Sequence, residues 1–174
     1  MRIPSIALLL LAGCGDPSSL ENFHEVRDGL FRGGHPDTSS FATLESMGVK
    51  TIVDLEIDNG VEADGDDITQ EVDDAAKAGI TVLRFPMSAF DSPDDEFDAM
   101  IDQIMIILAD PSLGPIYVHC AHGQDRTGLV IALERVIDEG WTPQAAHDEM
   151  TALGFHTIFV GLEHYYEEKT GWED

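Results

Sequence analysis

Residues 115–138 read PIYVHCAHGQDRTGLVIALERVID, and this stretch decides the expected fold. The apolar and β-branched residues at 115–119 predict a strand. The dense apolar residues from Leu129 onward predict a buried helix over 127–138. A short loop, residues 120–126, joins the two. A strand that leads through a short loop into a buried helix is typical of an α/β sheet protein.

The predicted loop places several backbone N–H groups and the start of a helix around one point. Such a nest binds anions without side chains, because a helix start carries about half a positive charge. Arg126 adds a guanidinium fork that suits two phosphate oxygens. We therefore predict that the loop binds phosphate through Ala121, His122, Gly123, Gln124, Asp125 and Arg126, with Asp125 holding the loop or positioning water.

Cys120 stands at the beginning of this loop, where the same field favours a thiolate over a thiol. A thiolate beside a bound phosphate is a nucleophile, so we predict that Cys120 attacks phosphorus. Thr127 is placed to donate its hydroxyl to the sulfur and to help the thiolate leave later. His119 is predicted to orient the loop rather than to act as a base. A buried, inert cysteine is the alternative.

The string His-Cys-x-x-Gly-x-x-Arg-Thr-Gly at residues 119–128 resembles the signature of the protein tyrosine phosphatase superfamily, in its dual-specificity and atypical bacterial branch. LFRGGHP at 30–36, MGVKTIVDL at 47–55 and FPM at 85–87 match the wider pattern of that branch. The resemblance implies a cysteine-dependent phosphatase that forms a phosphocysteine and hydrolyses phosphotyrosine, with phosphoserine and phosphothreonine as further substrates. The seven histidines show no metal-ligand spacing, and we expect neither a metal nor a cofactor.

The resemblance also implies a general acid on a loop one helix and one strand before the nucleophile. Asp91 occupies that position. It would protonate the departing oxygen and then activate water as a carboxylate. Asp94 and Asp95 are alternatives for this role. Asp91 also has an alternative role, which is to help cap the helix that residues 92–93 are predicted to start.

Other functions remain open on the residues alone. An inositol-polyphosphate or phosphoinositide phosphatase is the second enzyme hypothesis, although Glu56 stands where relatives commonly carry an arginine. A phosphate-binding pseudophosphatase and a rhodanese-like sulfur carrier are the others. Arg32 and His35 flank a Gly-Gly turn, where they either reach the site or clamp the structure around it.

The remaining segments alternate between strands and helices. A turn at Asp28-Gly29 predicts a short strand pair at 26–32. Further strands are predicted at 51–55 and 80–85, and further helices at 38–47, 68–78, 93–108, 142–154 and 159–169. This order predicts an α/β fold with a mainly parallel central sheet and helices on both faces.

The first residues resemble a bacterial lipoprotein signal. Arg2 precedes an apolar run at residues 6–12, and Leu-Ala-Gly-Cys ends at Cys14. The run is much shorter than the about 20 residues of a membrane-spanning helix. We therefore expect export and a lipid anchor on Cys14, with a plain secretory signal as the alternative. The predicted organisation is a signal at 1–13, a linker at 14–22 and a phosphatase domain at 23–174.

The net charge of −25 comes from 34 acidic against nine Lys and Arg residues. A field of this sign repels nucleic acid and anionic membrane surfaces, so neither is an expected partner, and membrane contact is expected through the lipid alone. The predicted partner is a phosphorylated protein or a small phosphomonoester. Such an anion must be captured by a local concentration of donors.

Overall fold

The computed structural model describes residues 19–57, 68–90 and 93–173. In chain order these residues form β1 (His24–Arg27), β2 (Leu30–Gly33), α1 (Phe41–Ser46), β3 (Thr51–Asp54), α2 (Ile68–Lys77), β4 (Thr81–Arg84), α3 (Asp95–Ala109), β5 (Ile116–His119), α4 (Asp125–Ile137), α5 (Pro143–Ala152) and α6 (Val160–Thr170). The order of strands and helices agrees with the predicted alternation. The predicted Asp91 and Cys14 and the predicted signal at 1–13 lie outside the described residues.

The strands form one five-stranded sheet in the order β1-β2-β5-β3-β4. Strands β2, β5, β3 and β4 are parallel to one another, and β1 pairs antiparallel with β2. Gly29 allows the tight turn of this hairpin because its φ is +75°. The predicted mainly parallel sheet is confirmed.

Two apolar cores lie on the two faces of the sheet. On one face, side chains of α3, α4, α5 and α6 pack with Val53, Ile116 and Val118. On the other face, α1 and α2 pack with Ile52 and Tyr117. Adjacent residues of a strand point to opposite faces. Every residue of β3 and β5 is therefore buried, and the predicted helices on both faces are confirmed.

The predicted start of the third helix is wrong. Residues 92–93 were expected to begin it, whereas α3 begins at Asp95. The side chain of Asp94 accepts the backbone N–H groups of Glu96 at 3.1 Å and Phe97 at 3.0 Å. A carboxylate suits this position because the helix start is positive. The cap is therefore Asp94 rather than a serine, and the proline precedes the helix.

Two further helix starts differ from the prediction. Helix α1 begins at Phe41 rather than near residue 38, because the carboxylate of Asp37 accepts the N–H of Ser40 at 2.8 Å and closes a turn first. Helix α4 begins at Asp125 rather than at residue 127. Arg126 therefore belongs to the first helical turn instead of the loop.

The predicted linker at 14–22 needs correction at its end. Leu20 is only 4% exposed and belongs to the core that contains Phe41. The carbonyl of Glu21 accepts the N–H of Gly34 at 2.8 Å. Residues 19–22 are therefore part of the domain. Among the described segments, no helix is both long enough and apolar enough to cross a bilayer.

Candidate active site

Residues 120–126, which we name the Cys-Arg loop, join the end of β5 to the start of α4. Because β2, β5 and β3 are parallel, their carboxyl ends meet at this same edge of the sheet. Open α/β sheets bind ligands at such an edge. The site predicted from sequence therefore lies where the fold favours a ligand.

The carbonyl groups of the Cys-Arg loop are held from outside. Ala121 O accepts the N–H of His35 at 3.1 Å. Gly123 O accepts hydrogen bonds from two donors, Arg32 Nη2 at 2.7 Å and Asn22 Nδ2 at 2.8 Å. In a planar trans peptide the next N–H points away from the carbonyl. The N–H groups that follow residues 121 and 123 are therefore turned away from these partners, as an inward-facing anion nest requires.

Gly123 can only be glycine in this arrangement. Its φ is +67°, and a Cβ would lie 2.3 Å from the carbonyl carbon of Gly33. Any side chain would therefore collide with the end of β2. The close approach lets Arg32, the neighbour of Gly33, reach the loop from the interior.

Cys120 lies at the buried end of the loop. It is a free thiol, 3% exposed, and it borders the core on the α4 side of the sheet. The loop then rises toward solvent, where His122 is exposed. The predicted nucleophile therefore lies at the buried start of the loop, and the loop becomes exposed at His122.

The first turn of α4 supplies Arg126 and Thr127. Arg126 is 8% exposed, and its Nη1 donates to the carbonyl of Leu55 at 3.3 Å. This bond fixes the guanidinium beside the end of β3. The hydroxyl of Thr127 is fully buried and has no hydrogen-bond partner among the described residues. Because Cys120 is one of these residues, the predicted donation of this hydroxyl to the Cys120 sulfur is not made in this structure.

Arg32 is a second buried cation behind the loop. The residue is 1% exposed, and its Nε and Nη1 have no hydrogen-bond partner within the described segments. Burial lowers the pKa of Arg32 to about 10, which leaves the guanidinium charged at neutral pH. Of the two roles left open by the sequence, Arg32 takes that of a clamp on Gly123, and it also places positive charge beneath the site.

His119 is enclosed by two acidic side chains. Its Nε2 lies 3.0 Å from Glu71 Oε1, and its Nδ1 lies 3.2 Å from Glu56 Oε1, out of line for a hydrogen bond. Burial opposes the charged ring, but the two carboxylates outweigh it and raise the pKa of His119 to about 10. His35 Nδ1 pairs with the same Glu56 oxygen at 2.8 Å. We name these four residues the His-Glu cluster.

The His-Glu cluster changes the interpretation of Glu56. The carboxylate is 0% exposed, so it faces the interior instead of the substrate. Burial opposes its ionisation, but His119 and His35 hold its pKa well below the usual range. Potential metal-ligating atoms of His35, Glu56 and His119 lie within 4.8 Å of one another. Since His119 already faces a carboxylate from each ring nitrogen, a proton-bound network fits this geometry.

The remaining loop residues have separate partners. Gln124 packs on Gly154, where a Cβ would meet its side chain at 3.0 Å. Asp125 Oδ1 accepts the backbone N–H of His156 at 2.7 Å and lies 3.1 Å from its ring Nδ1. Of its two predicted roles, Asp125 therefore holds the loop. His122 is beside the solvent and 3.4 Å from Glu21.

Asp91, the predicted general acid, lies outside the described residues. The alternative Asp94 caps α3 through two backbone N–H groups. Asp95 is the first residue of that helix. The side chain that caps α3 is therefore that of Asp94, and the assignment of Asp91 as the acid stays a prediction.

Sequence analysis missed two residues that support the site. Asn22 was assigned to a linker, yet its side chain joins Gly123 O to Leu153 O, and its φ is +49°. Glu71 was not selected, although its position three residues after Ile68 on the buried side of α2 is unusual for an acid. The sequence feature that could have identified Glu71 is therefore a charged residue on the apolar face of a predicted helix.

Together, the sheet edge, the buried cysteine and the arginine of the following helix define a protein of the cysteine-phosphatase class. The family model described as "DSP-PTPase phosphatase fused to NAD+ Kinase" matches residues 15–159, and the chain belongs to this family.

Several characterised relatives share the domain. Dual specificity protein phosphatase TpbA of Pseudomonas aeruginosa is 34% identical over 143 residues, which are 80% of this chain and 57% of that protein. Inositol diphosphatase DSP4 of Arabidopsis thaliana is 30% identical over 129 residues, or 74% of this chain and 61% of that protein. The chain thus spans less than two thirds of the length of either relative.

Solved structures agree with the fold. The crystal structure of P. aeruginosa TpbA has a TM-score of 0.69 at 30% identity and covers 88% of this chain and 86% of that one. The core catalytic domain of the PP-IP phosphatase SIW14 from S. cerevisiae has a TM-score of 0.72 at 21% identity, with 85% of each chain covered. The latter likeness supports the fold alone.

The His-Glu cluster predicts a loss of stability in alkali. The pKa of His119, about 10, is above the value of about 6.5 for an unfolded histidine. Its stabilising contribution is therefore complete below pH 6.5 and is lost as the pH rises toward 10. In Glu71→Gln this loss should begin at a lower pH, and the free energy of unfolding at pH 7 should fall by about 1–3 kcal/mol.

Urea unfolding between pH 6.5 and 9.5 measures both effects. Glu45→Gln, a change at an exposed glutamate of α1, is the matched control and should follow the unaltered protein. If the free energy of unfolding of Glu71→Gln falls over the same alkaline pH range as in the unaltered protein, Glu71 does not stabilise the charged ring of His119.

Proposed function

We propose that this chain is a cysteine-dependent phosphatase that hydrolyses phosphotyrosine, with phosphoserine and phosphothreonine as further substrates. The observation that carries the proposal is the Cys-Arg loop, whose carbonyl groups at Ala121 and Gly123 are bound from outside. The relative TpbA, 30% identical in this comparison, was crystallised in complex with phosphotyrosine, which supports the same substrate class here.

The proposed reaction begins with phosphate bound by the loop N–H groups and the Arg126 fork. The thiolate of Cys120 attacks phosphorus, and the bond from phosphorus to the tyrosine oxygen breaks while Asp91 gives that oxygen a proton. The phosphocysteine is then attacked by water, which loses a proton to the Asp91 carboxylate. The sulfur leaves as a thiolate with the Thr127 hydroxyl nearby, and inorganic phosphate is released.

An inositol-polyphosphate phosphatase is the second candidate, favoured by the likeness to an inositol diphosphatase at 30% identity. A substrate with many phosphates needs several cations around the loop. The arginines of the site are buried, and Glu21 lies beside exposed His122 at the rim. With 34 acids against nine Lys and Arg residues, the chain is a poor match for such a polyanion.

A substrate panel tests the proposal. A phosphotyrosine peptide should give a kcat/KM at least about tenfold above that of inositol hexakisphosphate, a difference of about 1.4 kcal/mol in the activation free energy. Cys120→Ser should abolish phosphate release from both, because the hydroxyl is a far weaker nucleophile. A preference for the inositol phosphate would replace the first candidate by the second. Phosphotyrosine binding without vanadate-sensitive hydrolysis would indicate a pseudophosphatase.

The role of Asp91 predicts a dependence on the leaving group. Asp91→Asn should reduce kcat for a phosphotyrosine peptide by about 100-fold or more, because the leaving phenolate then lacks a proton donor. The reduction should be smaller for p-nitrophenyl phosphate, whose leaving group needs less protonation. Asp95→Asn serves as the matched variant. If that variant shows the leaving-group dependence instead, Asp95 is the acid.

We also propose that the chain is exported and anchored to a bacterial membrane by lipid on Cys14. Arg2, the apolar run at 6–12 and the Leu-Ala-Gly-Cys ending support this. Expressed in a bacterium, the full chain should incorporate labelled palmitate and sediment with membranes. Cys14→Ser should lose the label. Equal labelling of both proteins would exclude Cys14 as the anchor.

A further inference from the structure

Three large apolar side chains near the Cys-Arg loop lie open to solvent. Phe90 is 72% exposed, Ile158 is 77% exposed and Val160 is 62% exposed. Phe90 precedes Asp91, and the other two flank the start of α6. We name Phe90, Ile158, Phe159 and Val160 the apolar rim. Clusters of exposed apolar side chains on soluble proteins commonly mark binding surfaces.

The apolar rim is connected to the Cys-Arg loop by direct contacts. The rings of Phe90 and Phe159 meet edge to face with centroids 5.0 Å apart. Phe159 also contacts His156, with centroids 6.2 Å apart. His156 in turn is bound by Asp125 of the loop through its backbone N–H at 2.7 Å. A single residue, His156, therefore separates the rim from the loop.

A groove of about 240 Å³ continues from the rim along α6. Phe90, Pro93 and Val160 line its apolar part, and His164 and Glu168 line its polar part. Glu168 is exposed. The groove thus combines apolar side chains with an exposed carboxylate.

We propose that the apolar rim and this groove bind the peptide segment next to the phosphotyrosine, and that they select a bulky apolar residue followed by a basic one. The inference rests on the proposed phosphatase function and specifies its substrate. An extended peptide advances about 3.4 Å per residue. The two or three residues beside the phosphotyrosine therefore reach past His156, from the loop to the rim.

Charge decides among the possible occupants of the groove. A basic peptide residue is attracted by Glu168 and by the overall charge of −25. A second copy of this chain carries the same negative charge and is repelled. An inositol polyphosphate gains nothing from Phe90 and Val160 and is repelled by Glu168. A phosphopeptide with apolar and basic residues satisfies both parts of the groove.

Steady-state kinetics with matched phosphotyrosine peptides test the inference. For each side of the phosphotyrosine, a set of four peptides combines Leu or Ser at the adjacent position with Arg or Glu two residues further along. The peptide with Leu and Arg should have a kcat/KM about five- to tenfold above that with Ser and Glu, the range expected for partial burial of one apolar side chain. Equal values for all four peptides would overturn the inference.

Variants of the groove locate the effect. Val160→Ala should remove most of the preference for Leu and leave hydrolysis of free phosphotyrosine unchanged, because that substrate is too small to reach the groove. Ile106→Ala is the matched control, since Ile106 is 70% exposed near the far end of α3. Glu168→Lys should reverse the preference between Arg and Glu. A preference retained in both groove variants would place the selecting surface elsewhere.

Two outcomes separate this inference from the proposed function. Failure to hydrolyse free phosphotyrosine would refute the phosphatase activity itself. Hydrolysis of free phosphotyrosine and of all peptides at equal efficiency would refute only the peptide selection. Sedimentation of the full chain as a dimer that Val160→Ala converts to a monomer would show that a second copy occupies the rim, and would also overturn the inference.

Discussion

The carbonyl of Gly123 is the point on which the candidate site depends. Two donors from outside the loop bind it, buried Arg32 at 2.7 Å and half-buried Asn22 at 2.8 Å, and they come from chain segments about one hundred residues earlier. A released carbonyl would let the following peptide rotate, and its N–H would leave the nest. The close packing of Gly123 on Gly33 brings the loop next to Arg32, the neighbour of Gly33. The β1–β2 hairpin therefore supports the geometry of the candidate site, although it contributes no reacting group.

The sequence predicted those parts of the structure that depend on local pattern. Strand β5, the Cys-Arg loop and helix α4 follow one another within 24 residues. The spacing of their apolar residues and the composition of the loop were sufficient to predict all three. The support of Gly123 by Asn22 was missed because it joins residues 101 positions apart. The capping of α3 by Asp94 was missed because an acid and a serine near a proline offer competing caps, and backbone geometry decides between them.

The charge of the protein and the charge of its site have opposite signs. The chain carries −25 overall, yet the guanidinium groups of Arg32 and Arg126 lie buried beside the loop. Repulsion from surface acids is screened over about 8–10 Å in physiological salt. Interactions inside the protein are screened much less, because the local dielectric constant is lower. A few buried cations therefore dominate at short range, and an acidic protein can still hold a single phosphate.

The same reasoning restricts the substrate. The attraction reaches only the phosphate inside the loop, because exposed Glu21 lies beside His122 of the loop and Glu168 lies along the neighbouring groove. A second phosphate on the substrate would meet acids or the apolar ring of Phe90 instead of donors. A substrate with one phosphate and with uncharged or basic neighbouring groups therefore meets the least electrostatic repulsion when it binds. A tyrosine phosphate within a peptide meets this condition, since its aromatic ring separates the phosphate from the remaining chain and the neighbouring residues can supply apolar or positive groups.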